Sequence, residues 1–320
     1  MWVIKMGGLV EYTVKRLISG LFIVLAVTII LFAIMHLMPG DPIKLISDPR
    51  VPPERIEELR RLWGLDKPLH IQYFHWLLRV LRGDFGTSIV FKQPVAELIK
   101  ARLPYTLLLT GSSLILEYII AVPLGLIAAI KWNTKIDRFV VVISIILWSI
   151  PTFWLGILLM MLFGIWLGVL PLSGYSGLRS LILPLLALTL PSLAGTLRLT
   201  RSEVLEVLRE NYVLTAYAKG LPKPKVVIKH ILRNALIPVT VMFFLYFPWL
   251  IGGSVIIESV FAWPGMGRLL WKSIVTQDYP VVQGIILIIA ILTVISNTIG
   301  DIVGAILDPR VKIELGGGGA

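Results

Sequence analysis

Glu117 is the one acid inside the two apolar stretches 17–37 and 106–130, which makes it the first residue to ask about chemistry. A carboxylate at that depth is costly in lipid unless it faces a cavity or a partner. Two roles are therefore open to it: lining a path, or hydrogen bonding to a neighbouring helix. Asp301 lies nearer one end of the last apolar stretch. His70 and His75 are five residues apart, which puts them on different faces of a helix, whereas metal-ligand pairs prefer spacings of three or four. Neither they nor His36 suggest a metal site, and no cofactor is implied. The Gly-x-Ser-x-Gly elbow, His-Glu-x-x-His and Gly-x-x-x-x-Gly-Lys-Ser/Thr motifs are all missing. With no cysteine, thiolate chemistry and disulfides are excluded. The chain reads as non-catalytic; if it pumps, the energy comes from another subunit.

The elements that must position these residues are membrane spans. Hydrophobic residues make up 57% of the chain, charged residues only 15%, and the mean hydropathy is +0.86. At about 20 apolar residues per span, six are expected: 17–37, 106–130, 139–167, 181–197, 238–257 and 281–307. Lys and Arg in short loops stay on the cytoplasmic side. Lys15, Arg16, Lys131, Lys135, Arg138, Arg310, Lys312 and the bases from Arg198 to Arg233 therefore place both termini inside. This topology also accounts for most of the +11 net charge, so a nucleic-acid partner is not expected. The span at 17–37 is longer than a signal h-region and reads as retained, while the closing Gly-Gly-Gly-Gly-Ala resembles a linker scar.

Two polar regions stand out. Outside, Pro39 and Pro42 end the first span, and amphipathic helices are expected over 53–63 and from Pro68, with a short one over 94–102 before Pro104 opens the second span. Inside, Arg201 to Lys219 has helical periodicity and Gly220, Pro222 and Pro224 stop it. A second helix from about Lys225 puts Lys225, Lys229 and Arg233 on one face. This inner helix-turn-helix could grip a cytoplasmic partner or meet lipid phosphates.

The inner loop's Thr215-Ala216-Tyr217-Ala218-Lys219-Gly220 and Arg233-Asn234-Ala235-Leu236-Ile237-Pro238 resemble the coupling motif of binding-protein-dependent ABC importer permeases of the peptide/nickel group. The general form of that motif has Glu where Leu214 stands, and Ala216 and Gly220 match it. Met38-Pro39-Gly40-Asp41-Pro42, Gly83-Asp84-Phe85-Gly86-Thr87-Ser88, Arg102-Leu103-Pro104-Tyr105-Thr106-Leu107, Glu258-Ser259-Val260-Phe261, Trp263-Pro264-Gly265-Met266-Gly267 and Leu307-Asp308-Pro309-Arg310 extend the resemblance along nearly the whole chain.

The resemblance implies an all-α, six-span type I importer permease in the inner or plasma membrane, with no ATP site of its own. Its partners would be a second, homologous permease, one or two P-loop ATPase subunits and an external substrate-binding protein. The contact with an ATPase is expected over Leu214, Thr215, Ala216, Tyr217, Ala218, Lys219, Gly220, Leu221, Pro222 and Lys223, with Glu117 as a path-lining candidate. The expected organisation is an inner N-terminus and first span (1–37), an outer helical segment (38–103), a five-span core with its coupling loop at 198–237 (104–310), and a tail (311–320). Di- or oligopeptides are the expected cargo. Oligosaccharides or nickel are alternatives within the class. A stand-alone ion-coupled transporter would need repeated halves and midplane ligands, which the chain does not offer.

Overall fold

The computed structural model describes residues 6–37, 52, 54, 57, 58 and 66–307. Most of the expected helix over 53–63 and the closing tail lie outside the described residues. Among those described, the chain is almost entirely helical, with no strand beyond a single bridge between Thr87 and Pro94.

Helix α1 (Met6–Leu37) is the first span. Helix α2 (Leu69–Leu81) begins directly after Pro68, as the sequence suggests, because proline's fixed φ suits a helix start. Helix α2 lies against α1: Tyr73 hydroxyl shares a 2.9 Å hydrogen bond with Thr28, and Phe32, Tyr73 and Trp76 pack ring to ring.

Helix α3 (Val95–Ile130) corrects one expectation: it runs through Pro104 instead of starting a separate span there. Proline frees a carbonyl one turn back, but a helix embedded among neighbours tolerates that loss.

The third expected span is bent. Helix α4 (Lys135–Ser149) and α5 (Thr152–Leu159), the latter continued by a π turn over Met160–Trp166, meet at 97°. The break falls at Ile150, held extended before Pro151, because an α conformation there would clash with the proline ring.

After a 3₁₀ turn (Leu178–Leu181), helix α6 (Ile182–Leu208) also departs from the short span expected. It passes through Pro191 and carries the apolar run straight into the charged stretch, since helix geometry does not stop where hydropathy does. Helix α7 (Asn211–Ala218) is consequently the separate element of the inner loop. The second inner helix is likewise not free-standing: α8 (Lys223–Val226), a π turn over Val227–Leu232 and α9 (Arg233–Val260) form one apolar stretch long enough to cross. Helices α10 (Met266–Val275) and α11 (Tyr279–Leu307) complete the fold.

Among the described residues, five helical stretches can cross a membrane alone, and the bent α4–α5 pair, taken as one span, makes a sixth. Its two ends decide that it crosses once. At its start, Asp137 pairs with Arg201 near the end of α6; beyond its end, Tyr175 packs on Tyr105 and Trp263 at the opposite end of α3. Six crossings return the chain to its starting side, in keeping with the 3.1 Å ion pair from Arg16 in α1 to Asp301 in α11.

The most extensive helix pair is α3 with α6. Thr106, Thr110, Ser113 and Glu117 of α3 are all buried at intervals of three or four, so they share a face. Ser113 meets Thr189 hydroxyl to hydroxyl at 2.9 Å, and Thr196 donates to Glu117 at 2.5 Å. In lipid, apolar surface supplies no preference for helix over lipid tail, so small residues and such bonds, about 0.6 kcal/mol each, hold the pair.

Candidate functional site

The expected coupling segment is an eight-residue helix with a turn. In α7, Val213 and Ala216 point inward at a spacing of three and join Val204, Val226, Ile231 and Ala235 in a buried cluster. That cluster anchors the helix. Its other face is presented outward: Leu214 is 59% exposed, Tyr217 is 37% exposed, and Thr215 and Ala218 are exposed beside them. An exposed Leu and Tyr on an anchored helix are a shape that a groove on another protein can take.

The helix stops as the sequence suggests. Gly220 has φ +74°, in the left-handed region that a residue with a side chain rarely adopts, and its amide donates to Tyr217 carbonyl at 2.9 Å. A Cβ at Gly220 would meet no atom within 4 Å, so the turn stands in open space. Leu221 is half-buried against the cluster, whereas Lys219, Pro222 and Lys223 are exposed. Thus Leu214 to Lys223 is one continuous projection, supported from behind by Ala216 and Leu221.

Glu117 lies elsewhere, at 1% exposure between α3 and α6. One oxygen accepts from Thr196, while Oε2 is buried without a hydrogen-bond partner. The structure therefore does not bring Glu117 together with the inner projection. His70 and His75 sit on the exterior helix α2, and among the described residues no group of three His, Asp or Glu side chains could hold a metal ion.

Two buried acids at the end of the molecule away from α7 carry structural weight that the sequence did not reveal. Glu258 accepts from Thr106 hydroxyl at 2.7 Å, from Ser254 hydroxyl at 3.3 Å and from the Arg268 amide at 3.0 Å. Gly265, the residue preceding α10, has no side chain to cap that helix; Glu258 supplies the acceptor from the end of α9. A Cβ on Gly265 would fall within 2.4 Å of this carboxylate, which explains the glycine in Trp263-Pro264-Gly265-Met266-Gly267. Asp278 is fully buried and accepts from Ser88 hydroxyl and from the Ile89 and Val90 amides at 3.0 and 3.2 Å, fastening the hairpin at 86–94 to the turn before α11. The only hint in the sequence was an Asp just ahead of a helix, which would ordinarily read as that helix's own cap.

The six-span helical body, with an anchored projection at one end and a bolted cover at the other, defines a multi-pass membrane protein. Residues 121–313 match the family described as "Binding-protein-dependent transport system inner membrane component", and residues 9–110 match its N-terminal companion, "Binding-prot-dependent transport system membrane comp, N-term". The chain belongs to this family: it is the permease subunit of a binding-protein-dependent ABC importer, a multi-pass membrane protein that works with ATPase subunits and a substrate-binding protein.

Among its relatives, the oligopeptide transport system permease protein AppB of Bacillus subtilis (strain 168) is 43% identical over 312 residues, covering 94% of this chain and 99% of that protein. The glutathione transport system permease protein GsiC of Salmonella typhimurium is 40% identical over 306 residues, covering 96% and 100%. In fold, the chain is similar to a structure of the MetNI methionine ABC transporter in an inward-facing conformation, with a TM-score of 0.57 and 20% identity over 66% of this chain and 96% of that one.

Proposed function

We propose that this chain forms half of the translocation path of an importer for di- or oligopeptides, paired with a second, homologous permease. The 43% identity to an oligopeptide permease along nearly the full length is the observation that carries the cargo assignment. The relative named for glutathione, itself a short peptide, favours the same class. Selection among peptides rests with the external binding protein, and ATP hydrolysis with one or two separate subunits; this chain performs no catalysis.

In this reading the termini are cytoplasmic and Leu214 to Lys223 inserts into an ATPase subunit. Support comes from the exposed Leu214 and Tyr217 on a helix whose other face is anchored in the apolar cluster. Closure of the ATPases would push on α7, and the cluster would pass the displacement to α6 and to the α8–α9 stretch, both of which pack on it. Glu117 belongs to the path only if α3 and α6 part, because the two helices enclose it in the present conformation.

Uptake tests the cargo. In vesicles carrying the complete transporter, ATP-dependent accumulation of a labelled di- or oligopeptide, competed by unlabelled peptide and not by oligosaccharide or nickel, is expected. Accumulation of a sugar or of nickel with no response to peptides would overturn the assignment.

A further inference from the structure

The turn joining α3 to α4 borders a cleft of about 520 Å³ that the transport reading leaves unused. Trp132, Arg138, Val141, Val142 and the Asp137–Arg201 pair line it. Asp137 and Arg201 face each other in a two-pronged bond, 2.7 and 2.9 Å, so the cleft's one carboxylate is already matched by a guanidinium. Arg138 is exposed; its guanidinium donates to the neutral Asn133 side chain at 3.0 Å and lies within electrostatic reach of Asp137, whose two oxygens are already taken by Arg201. Lys131 and Lys135 flank it, exposed, and among the described residues none of these three bases makes an ion pair. The local balance is an excess of positive charge.

The apolar wall says which anion fits. Val142 continues along α4 into Phe139 and Ile146, which are 53%, 67% and 50% exposed, a face suited to a hydrocarbon chain. Trp132, 58% exposed, stands at the level of the bases, where an indole favours the boundary between headgroups and tails. This strip belongs to the span, so a single ligand that reaches both it and the bases must carry a hydrocarbon tail and an anionic head. A lipid satisfies both.

We propose that the cleft between the α3–α4 turn and α6 binds an anionic phospholipid of the inner leaflet, its phosphate on Arg138 and Lys135 and one acyl chain along Val142 and Phe139. Basic pockets between spans on the cytoplasmic side are suited to such headgroups. The leaflet rests on the orientation proposed above; the binding itself does not.

The test uses the assembled transporter, purified in mild detergent, stripped of lipid and titrated with phosphatidylglycerol or phosphatidylcholine under native mass spectrometry. Phosphatidylglycerol is expected to be retained in preference to phosphatidylcholine, and Arg138→Gln to weaken its retention about fivefold, the effect of about 1 kcal/mol per surface base. Because Arg138 takes no part in the Asp137–Arg201 bond, the complex is expected to stay assembled with its ATPase activity. Equal retention of the two lipids, or unchanged retention in Arg138→Gln, would overturn the proposal, as would a cross-link from position 138 to an ATPase subunit. In the cysteine-free chain, Lys131→Cys labelled from the cytoplasmic side supports the inner leaflet. Labelling from outside alone would overturn the leaflet and the proposed orientation without touching the lipid titration.

Discussion

The two ends of the molecule are built on opposite principles. At the end away from α7, Asp278 and Glu258 are fully buried carboxylates whose hydrogen bonds tie together segments far apart in sequence: Ser88 to Asp278, Thr106 to Glu258. At the other end, α7 has no side-chain cap, ends at a glycine with φ +74° in open space, and is held mainly by apolar contacts on one face, with one side-chain bond across to α9, from the Asn234 amide to the Tyr212 hydroxyl at 3.0 Å. Directional bonds fix a cover in one register. Apolar contacts are less directional, so they can hold a helix firmly while letting it shift with the elements behind it. The difference suits the proposed coupling role of α7, with the far end holding its shape while α7 is pushed.

The contrast can be broken at several points. Gly220→Trp is expected to reduce uptake to background while membrane insertion is retained, because a side chain at that φ costs about 1–2 kcal/mol and would distort the projecting turn. Normal uptake would remove this turn from the coupling surface. Asp278→Ala leaves one hydroxyl and two amides without their acceptor; at about 1–3 kcal/mol per buried orphan, a loss of roughly 3 kcal/mol in stability is expected, read by thermal unfolding in detergent. An unchanged melting curve would show that the outer bolt is not one.

Glu117→Gln keeps the size and burial of the side chain but removes its titratable carboxyl. A change in transport kinetics would support a role in the path, and a profile indistinguishable from wild type would assign Glu117 to packing. The smallest effect sharpens the account of the span interior: Ser113→Ala, which removes the bond to Thr189, is expected to cost about 0.6 kcal/mol.

Hydropathy located the spans but not where their helices begin and end. Apolar residues cease near Leu197, yet α6 continues to Leu208, because lipid sets where a side chain prefers to be and backbone hydrogen bonding sets where a helix ends. Pro104 was read as a boundary and is interior to α3, whereas Pro151 sits at a 97° break. Proline's missing donor is the same in both places, and surrounding helices decide between tolerance and break. Local signals were reliable where the cause is local: Pro68 opens α2, and the Gly220 turn follows α7. The Asp278 and Glu258 bolts are not legible in the sequence because each acid ties to a hydroxyl about 150 to 190 positions away, a relation no local pattern encodes.

The central claim is that Leu214 to Lys223 is the surface an ATPase subunit grips. Since the chain has no cysteine, single cysteines at Leu214 and Tyr217 can be cross-linked in the assembled transporter, with Val213, buried on the same helix, as the control. The account predicts adducts to the ATPase subunit from positions 214 and 217, none from 213, and a yield that changes with bound nucleotide. Adducts from neither exposed position, in a complex that hydrolyses ATP and transports, would contradict it.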